Sequence, residues 1–294
     1  MRKILILGLI VLVVFLAGCA RKGEVPTGTG VIIKSFGPDI STVDSNTPVN
    51  FILSIKNTGG VKAENVHAVL FGLSDKWSTA PALNEAAPEL ASGLAAADPT
   101  TGLPGEEITK TWEEDKAPAS SSDISYDANV RVQYKYKTEA TGLVRVVSAD
   151  YLRTNPNVQR GIISSQTTAG PLSVNFFARS PVVTGENNVV RVQIEVQNVG
   201  EGKTFSGDNS VAPASSVTAG TLNKIRITEV DGCTRVTSSS TKAVLLIGGK
   251  SATINCEKDI TTTTTFTDFT FTVKIEYGYF VDAATQVTVL KKLT

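Results

Sequence analysis

Val49, Phe51, Leu53 and Ile55 alternate with Asn50, Ile52, Ser54 and Lys56, and the same rhythm returns at Val190, Val192, Ile194 and Val196 against Arg191, Gln193, Glu195 and Gln197. A period of two predicts strands with one face on a core. Each run ends in Asn-x-Gly, Asn57 with Gly59 and Asn198 with Gly200, residue types that accept the positive φ of a sharp turn. Strands are predicted near 30–36, 48–57, 64–73, 106–113, 127–138 and 142–149, and again near 171–179, 188–198, 223–230, 250–257, 265–280 and 284–293. Short alternating strands separated by Gly, Pro and Asn predict an all-β chain of antiparallel β-sandwiches.

The two series are copies. "VRVQYKYKTEATGLVRV" (130–146) aligns without a gap on "VKIEYGYFVDAATQVTV" (273–289), with six identities and four conservative exchanges in 17 positions. "VNFILSIKNTGG" (49–60) matches "VRVQIEVQNVGE" (190–201) at an offset of 141, and "LPGEEITKTW" (103–112) matches "IGGKSATINC" (247–256) at an offset of 144. A unit of this length is a domain rather than a solenoid repeat. Each aligned 17-residue stretch reads as a hairpin, turning at Glu139-Ala140-Thr141-Gly142 in one copy and Asp282-Ala283-Ala284 in the other. Tyr134, Tyr136, Tyr277 and Tyr279 then belong to the sheet face or core rather than to a ligand platform.

Composition supports two cores. The 294 residues are 41% hydrophobic, with 24 Gly, 12 Pro and a single Met. Lys+Arg and Asp+Glu number 28 each, so no net field draws the chain to nucleic acid or to an acidic bilayer, and no nucleic-acid partner is expected.

The first residues read as an address. Arg2 and Lys3 precede an apolar run, Ile4 to Ala17, that is shorter than the roughly 20 residues a spanning helix needs. Leu16-Ala17-Gly18-Cys19 resembles the lipobox of bacterial and archaeal lipoproteins. That resemblance implies a signal peptide over 1–18 and a lipid on Cys19, which would be the partner of the membrane. The alternatives are an uncleaved anchor helix or a plain secretory signal with an incidental thiol; each of the three readings exports the remainder. Residues 19–29, small, polar and rich in Gly and Pro, read as a tether.

A strand ending in Asn-x-Gly, a later Leu-Pro-Gly turn, a strand carrying Trp112 and a closing hairpin together resemble the CARDB type of Ig-like domain, a module associated with cell adhesion. The resemblance covers 30–150 and, more faintly, 170–292, where Cys256 replaces Trp112. It implies two tandem Ig-like antiparallel β-sandwiches, 30–160 and 161–294, with the boundary near 160 and a short strand within Gly161-Ile162-Ile163-Ser164. Such modules serve as spacers or binding domains, and the fold does not fix the partner.

Beyond Cys19 the cysteines are Cys233 and Cys256, both in the second copy. An exported chain oxidises such a pair where geometry permits; otherwise they pack as small hydrophobes. Two thiolates without neighbouring histidines fall short of a zinc site, so neither a metal nor a cofactor is expected. The single histidine, His67, falls on a strand with no Gly-x-Ser-x-Gly elbow to serve, which reads as a structural or solvated position. Glu106 and Glu107 are adjacent on a strand and point to opposite faces, not across a cleft. Asp39, Asp44, Asp123 and Asp127 show no EF-hand-like spacing.

Two insertions interrupt the repeat. Pro81 to Ala97 carries Leu83, Leu90 and Leu94 on one helical stripe and predicts a short helical excursion, packed on its own domain or docking a partner. Residues 205–220 form a polar loop suited to recognition. "TTTTTFT" (261–267) reads as the start of a strand or as an O-glycosylated patch. The expectation is therefore a non-catalytic, lipid-anchored envelope protein. It would bind or space an extracellular or envelope protein or glycan; the alternative is a structural subunit of an envelope or appendage assembly.

Overall fold

The computed structural model describes residues 28–292 except 75, 78–88, 99, 179–182, 185–188, 207–216, 237–242 and 261–264. The chain is all-β, with antiparallel sheets stacked as sandwich-like layers. The first copy supplies β1 (Val31–Pro38), β2 (Thr42–Asp44), β3 (Pro48–Asn57), β4 (Ala63–Phe71), β5 (Glu89–Leu94), β6 (Glu107–Lys116) and β7 (Ile124–Ser148). A helix α1 (Ala149–Thr154) follows, capped by the Ser148 side chain, which accepts from the Tyr151 N–H. The second copy supplies β8 (Gly161–Thr167), β9 (Leu172–Ala178), β10 (Val183–Thr184), β11 (Val189–Asn198), β12 (Lys203–Phe205), β13 (Lys224–Asp231), β14 (Arg235–Val236), β15 (Ala243–Leu245), β16 (Ser251–Asp259) and β17 (Phe266–Leu290).

Three sheets result. One orders β1-β3-β6, another β14-β16-β11-β9. The third is a ten-stranded sheet whose main path is β15-β13-β17-β7-β4-β5, with β2, β8, β10 and β12 attached to its two long strands. Alternation sets the faces: along β3 Val49, Phe51, Leu53 and Ile55 are fully buried, and along β11 Val190, Val192, Ile194 and Val196 are buried.

The predicted hairpins do not form. β7 and β17 each continue for 25 residues, about 80 Å at the usual strand rise. They pair with each other antiparallel and without a register shift, from Ile124 opposite Val289 to Val147 opposite Phe266. Lys135 stands opposite Gly278, and these two are also aligned with each other in the repeat, so a local two-fold axis passes between them. The turn residues are compatible with extended backbone: Gly142 is absent from the positive-φ positions, and the Phe176 ring lies where a Cβ on it would project. The first half of β7 pairs with β4, its second half with β8.

Each copy thus lends the end of its long strand to the other, the arrangement of a reciprocal strand exchange within one chain. Val287 and Val289 of β17 sit in a core cluster otherwise built from Val43, Val49, Phe51, Leu70, Leu73, Trp77, Ala117 and Ala128 of the first copy. The larger core is continuous across both copies, from Val31, Leu53 and Val130 to Ile194, Ile254 and Val273.

Over Glu89–Leu94 the expected helix is a strand, β5, paired antiparallel with β4. Leu94 enters the core and Leu90 packs against it, so an edge-strand position overrides the helical propensity of the Ala and Leu residues. Residues 81–88 of that expectation lie outside the described residues. Gly161 to Ser164 do form a strand, within β8.

Candidate functional site

The long strands cross at a cluster of four tyrosines. Tyr134 lies opposite Tyr279 and Tyr136 opposite Tyr277, with ring centroids 5.8 and 6.2 Å apart. All four face the core and are at most 2% exposed. Every hydroxyl is engaged. Tyr134 accepts from the Val31 N–H at 3.1 Å. Tyr136 accepts from the Val61 N–H and donates to the Ala169 carbonyl, tying the first copy to the start of the second. Tyr277 pairs with the Thr138 hydroxyl at 2.8 Å. Tyr279 donates to Asn198 Oδ1 and accepts from the Gly202 N–H, both at 2.9 Å.

Burial pushes the Tyr136 and Tyr279 hydroxyls up to about 12 and those of Tyr134 and Tyr277 well above their ordinary value. At neutral pH they are protonated hydrogen-bonding groups in a closed core. They offer neither a base nor a stacking platform.

The Asn-x-Gly motifs explain why the repeat is written twice. Asn57 is fully buried; its Nδ2 donates to the carbonyls of Val61 and Leu94, and its Oδ1 accepts from the Gly59 N–H. Asn198 repeats this with the carbonyls of Gly202 and Gly249 and the Gly200 N–H. The expected positive φ is not the reason for the glycines, since neither Gly59 nor Gly200 adopts it. Their lack of a Cβ leaves room for the hydroxyl of Tyr136 in one copy and Tyr279 in the other. Sequence reading found the motif and misassigned its cause. The signal it needed was that each Asn-x-Gly recurs with a tyrosine at a matched distance.

On the opposite face two bidentate pairs bind the long strands across the axis. Arg131 holds Asp282 at 2.8 Å, with its guanidinium 4.1 Å from the Phe280 ring centroid, and Arg145 holds Asp268 at 2.7 Å, 4.4 Å from the Phe266 centroid. The Arg145 hydrogen bonds keep the Asp268 carboxyl below its ordinary value.

Of the residues singled out in the sequence, Cys19 lies outside the described residues. Cys233 and Cys256 form a disulfide, with Cα atoms 5.5 Å apart, that fastens the turn after β13 to β16. His67 is half-buried on β4, opposite Gln133 of β7 and Glu89 of β5. The carboxylates serve local structure: Glu106 accepts from the Ala95 N–H, Glu107 from Lys34 and Ser54, Asp39 from Asn50, Asp123 from the Lys291 N–H, and Asp127 from Gln286. Among the described residues no three His, Cys, Asp or Glu side chains gather as metal ligands would. In loop 205–220, residues 207–216 lie outside the described residues.

At the end of the second copy, a polar hollow of about 570 Å³ is lined by Asn198, Gly200, Lys203, Asn223, Gly249 and Lys250, among others. The Oδ1 of Asn223 is buried there without a donor. Ser251 and Glu201 add to its polar lining.

No family model and no curated protein matches the chain. Among solved structures, the envelope protein VP37 of White Spot Syndrome Virus is 9% identical, covering 50% of this chain and 98% of its own, with a TM-score of 0.22. The secreted serine protease VesC of Vibrio cholerae is 10% identical, covering 92% of this chain and 53% of its own, with a TM-score of 0.21. The collagen adhesin of S. aureus is 11% identical, covering 92% and 96%, with a TM-score of 0.11. At such scores these likenesses carry no inference about fold or activity.

Proposed function

We propose that this is a lipid-anchored protein on the extracytoplasmic side of the cell envelope. Its two Ig-like, CARDB-like sandwich halves bind or space an extracellular protein or glycan, with no chemical step and no cofactor. The resemblance of Leu16-Ala17-Gly18-Cys19 to a lipobox carries the reading, because it implies a lipid on Cys19. The Cys233–Cys256 disulfide is in keeping with an oxidising compartment. The four tyrosines, bound and buried, leave loops and strand edges for recognition.

The test is mass spectrometry of the membrane-extracted protein together with fractionation of a Cys19→Ser variant. An acylated Cys19 as first residue, and a variant that leaves the membrane fraction, are expected. An unmodified Cys19 in membrane-bound material overturns the anchor. The second reading, a structural subunit adding strands to its neighbours, is favoured by one unfilled edge of β17 described below. It requires a native mass that rises with protein concentration.

A further inference from the structure

Along the two long strands, the described residues depart from the local two-fold at β8. On β7 the edge turned away from β17 is covered by β8, which pairs from Ala140 opposite Thr167 to Arg145 opposite Gly161. The equivalent stretch of β17 is Ala283 to Thr288. Its neighbours are covered: β12 pairs up to Phe280, and β2 from Thr288 onward. Among the described residues, no strand pairs with Val281 to Val287 on that side.

The direction of the unfilled groups follows from Thr288, whose N–H leaves β17 on this side to reach the Ser41 carbonyl at 2.8 Å. Alternate residues of a strand present their backbone to the same edge, so Gln286, Ala284 and Asp282 aim their N–H and C=O groups there too. Side-chain exposure agrees. Ala140 and Gly142, under β8, are buried, whereas their equivalents Ala283 and Thr285 are half-buried. The slot has a second wall. It is β1, which packs on β17: a Cβ on Gly37 would stand 3.8 Å from Thr285 Oγ1. The usual guard against strand addition, an unpaired charge on the edge, is missing: Asp282 is held by Arg131.

We propose that the β17 edge from Asp282 to Gln286 receives an extended polypeptide strand from a partner, as its symmetry mate on β7 receives β8. The chemistry of β8, Gly-Ile-Ile-Ser-Ser-Gln-Thr, describes the ligand: about seven residues, small and hydroxylated, with a branched aliphatic turned inward as Ile162 is. Main-chain pairing supplies the affinity and the inward aliphatic the register. The inference rests on the proposed binding role for its biological setting, but it is scored on different material from the lipid test. A failed peptide leaves the anchor reading standing, and an unlipidated Cys19 leaves the edge assay intact.

The experiment is hydrogen exchange of the full chain, with and without a synthetic peptide of residues 159–169 (QRGIISSQTTA) and a scrambled control. Rapid exchange of the Asp282, Ala284 and Gln286 amides in the free protein, and their protection on adding the peptide, are expected. Ala284→Pro removes an edge donor that the β7 ladder does not use, and Ala284→Lys adds a charge at the exposed face of that edge. Each should weaken binding by about tenfold or more while the circular dichroism spectrum is kept. Absence of protection overturns the proposal, as does equal binding by a folded Ala284→Lys. So does protection already present in the free chain: independent of dilution it means that the chain fills its own edge, and lost on dilution that a second copy does.

Discussion

Tyr136 stands directly opposite Tyr277 in the ladder of the two long strands, ring centroids 6.2 Å apart, and each ring belongs to a different copy of the repeat. The duplicated sequence is therefore not two separate beads. Each half of the core is completed by a strand that begins in the other, and cooperative behaviour follows from that exchange.

Ile254→Ala, fully buried in the second copy, should lower stability by about 2–5 kcal/mol. Both tryptophans, Trp77 and Trp112, lie in the first copy. Urea unfolding followed by their fluorescence should nevertheless shift by the full amount. A tryptophan transition that ignores the substitution would mean that the halves unfold independently.

Gly59→Ala places a methyl group against the Tyr136 hydroxyl and should cost about 1–3 kcal/mol by overpacking. Adding Tyr136→Phe removes the clashing oxygen, so the double variant should lose less than the sum of the two single losses in denaturant titrations.

Alkali should unfold the protein over a defined window. Tyrosine in the unfolded chain releases its proton near pH 10, whereas Tyr136 and Tyr279 hold theirs up to about 12. The unfolded state is thus favoured as pH rises between these values, and stability is intact below pH 10. Each phenol steepens the fall by up to about 1.4 kcal/mol per pH unit. Tyr279→Phe should flatten the curve of midpoint against pH above 10 and leave its shape unchanged at pH 7–9.

Reducing Cys233–Cys256, or replacing both by Ser, should lower stability by about 3 kcal/mol in the chain-entropy description. Calorimetry with and without reductant checks this, and the Ser pair should lose its response to reductant.

Much of the fold was legible because burial imposes a period of two: β3 spans Pro48–Asn57, where the alternation placed a strand, and β9, β11, β13 and β16 lie within a residue or two of their expected bounds. The hairpins were misread for a physical reason. Folding back at Glu139–Gly142 or running on into the other copy buries the same Val144 and Val146 face and satisfies the same backbone groups, so local sequence does not separate the two when the copies are alike. β2, β10, β12, β14 and β15 span two or three residues each, too few for a periodic signal. The side-chain role of Asn57 was hidden too, because its partners Val61 and Leu94 are distant strand neighbours or loop carbonyls with no mark in the sequence.

The strand exchange itself is tested by a pair of spin labels at Lys135 and Arg145 on a Cys19→Ser background. If β7 runs straight through, ten residues of strand separate them by about 33 Å, and pulsed dipolar spectroscopy should report a single distance near that value. A hairpin at Glu139–Gly142 would bring the labels within about 10 Å of each other, as neighbours across a two-strand ladder, and that result would contradict the exchange.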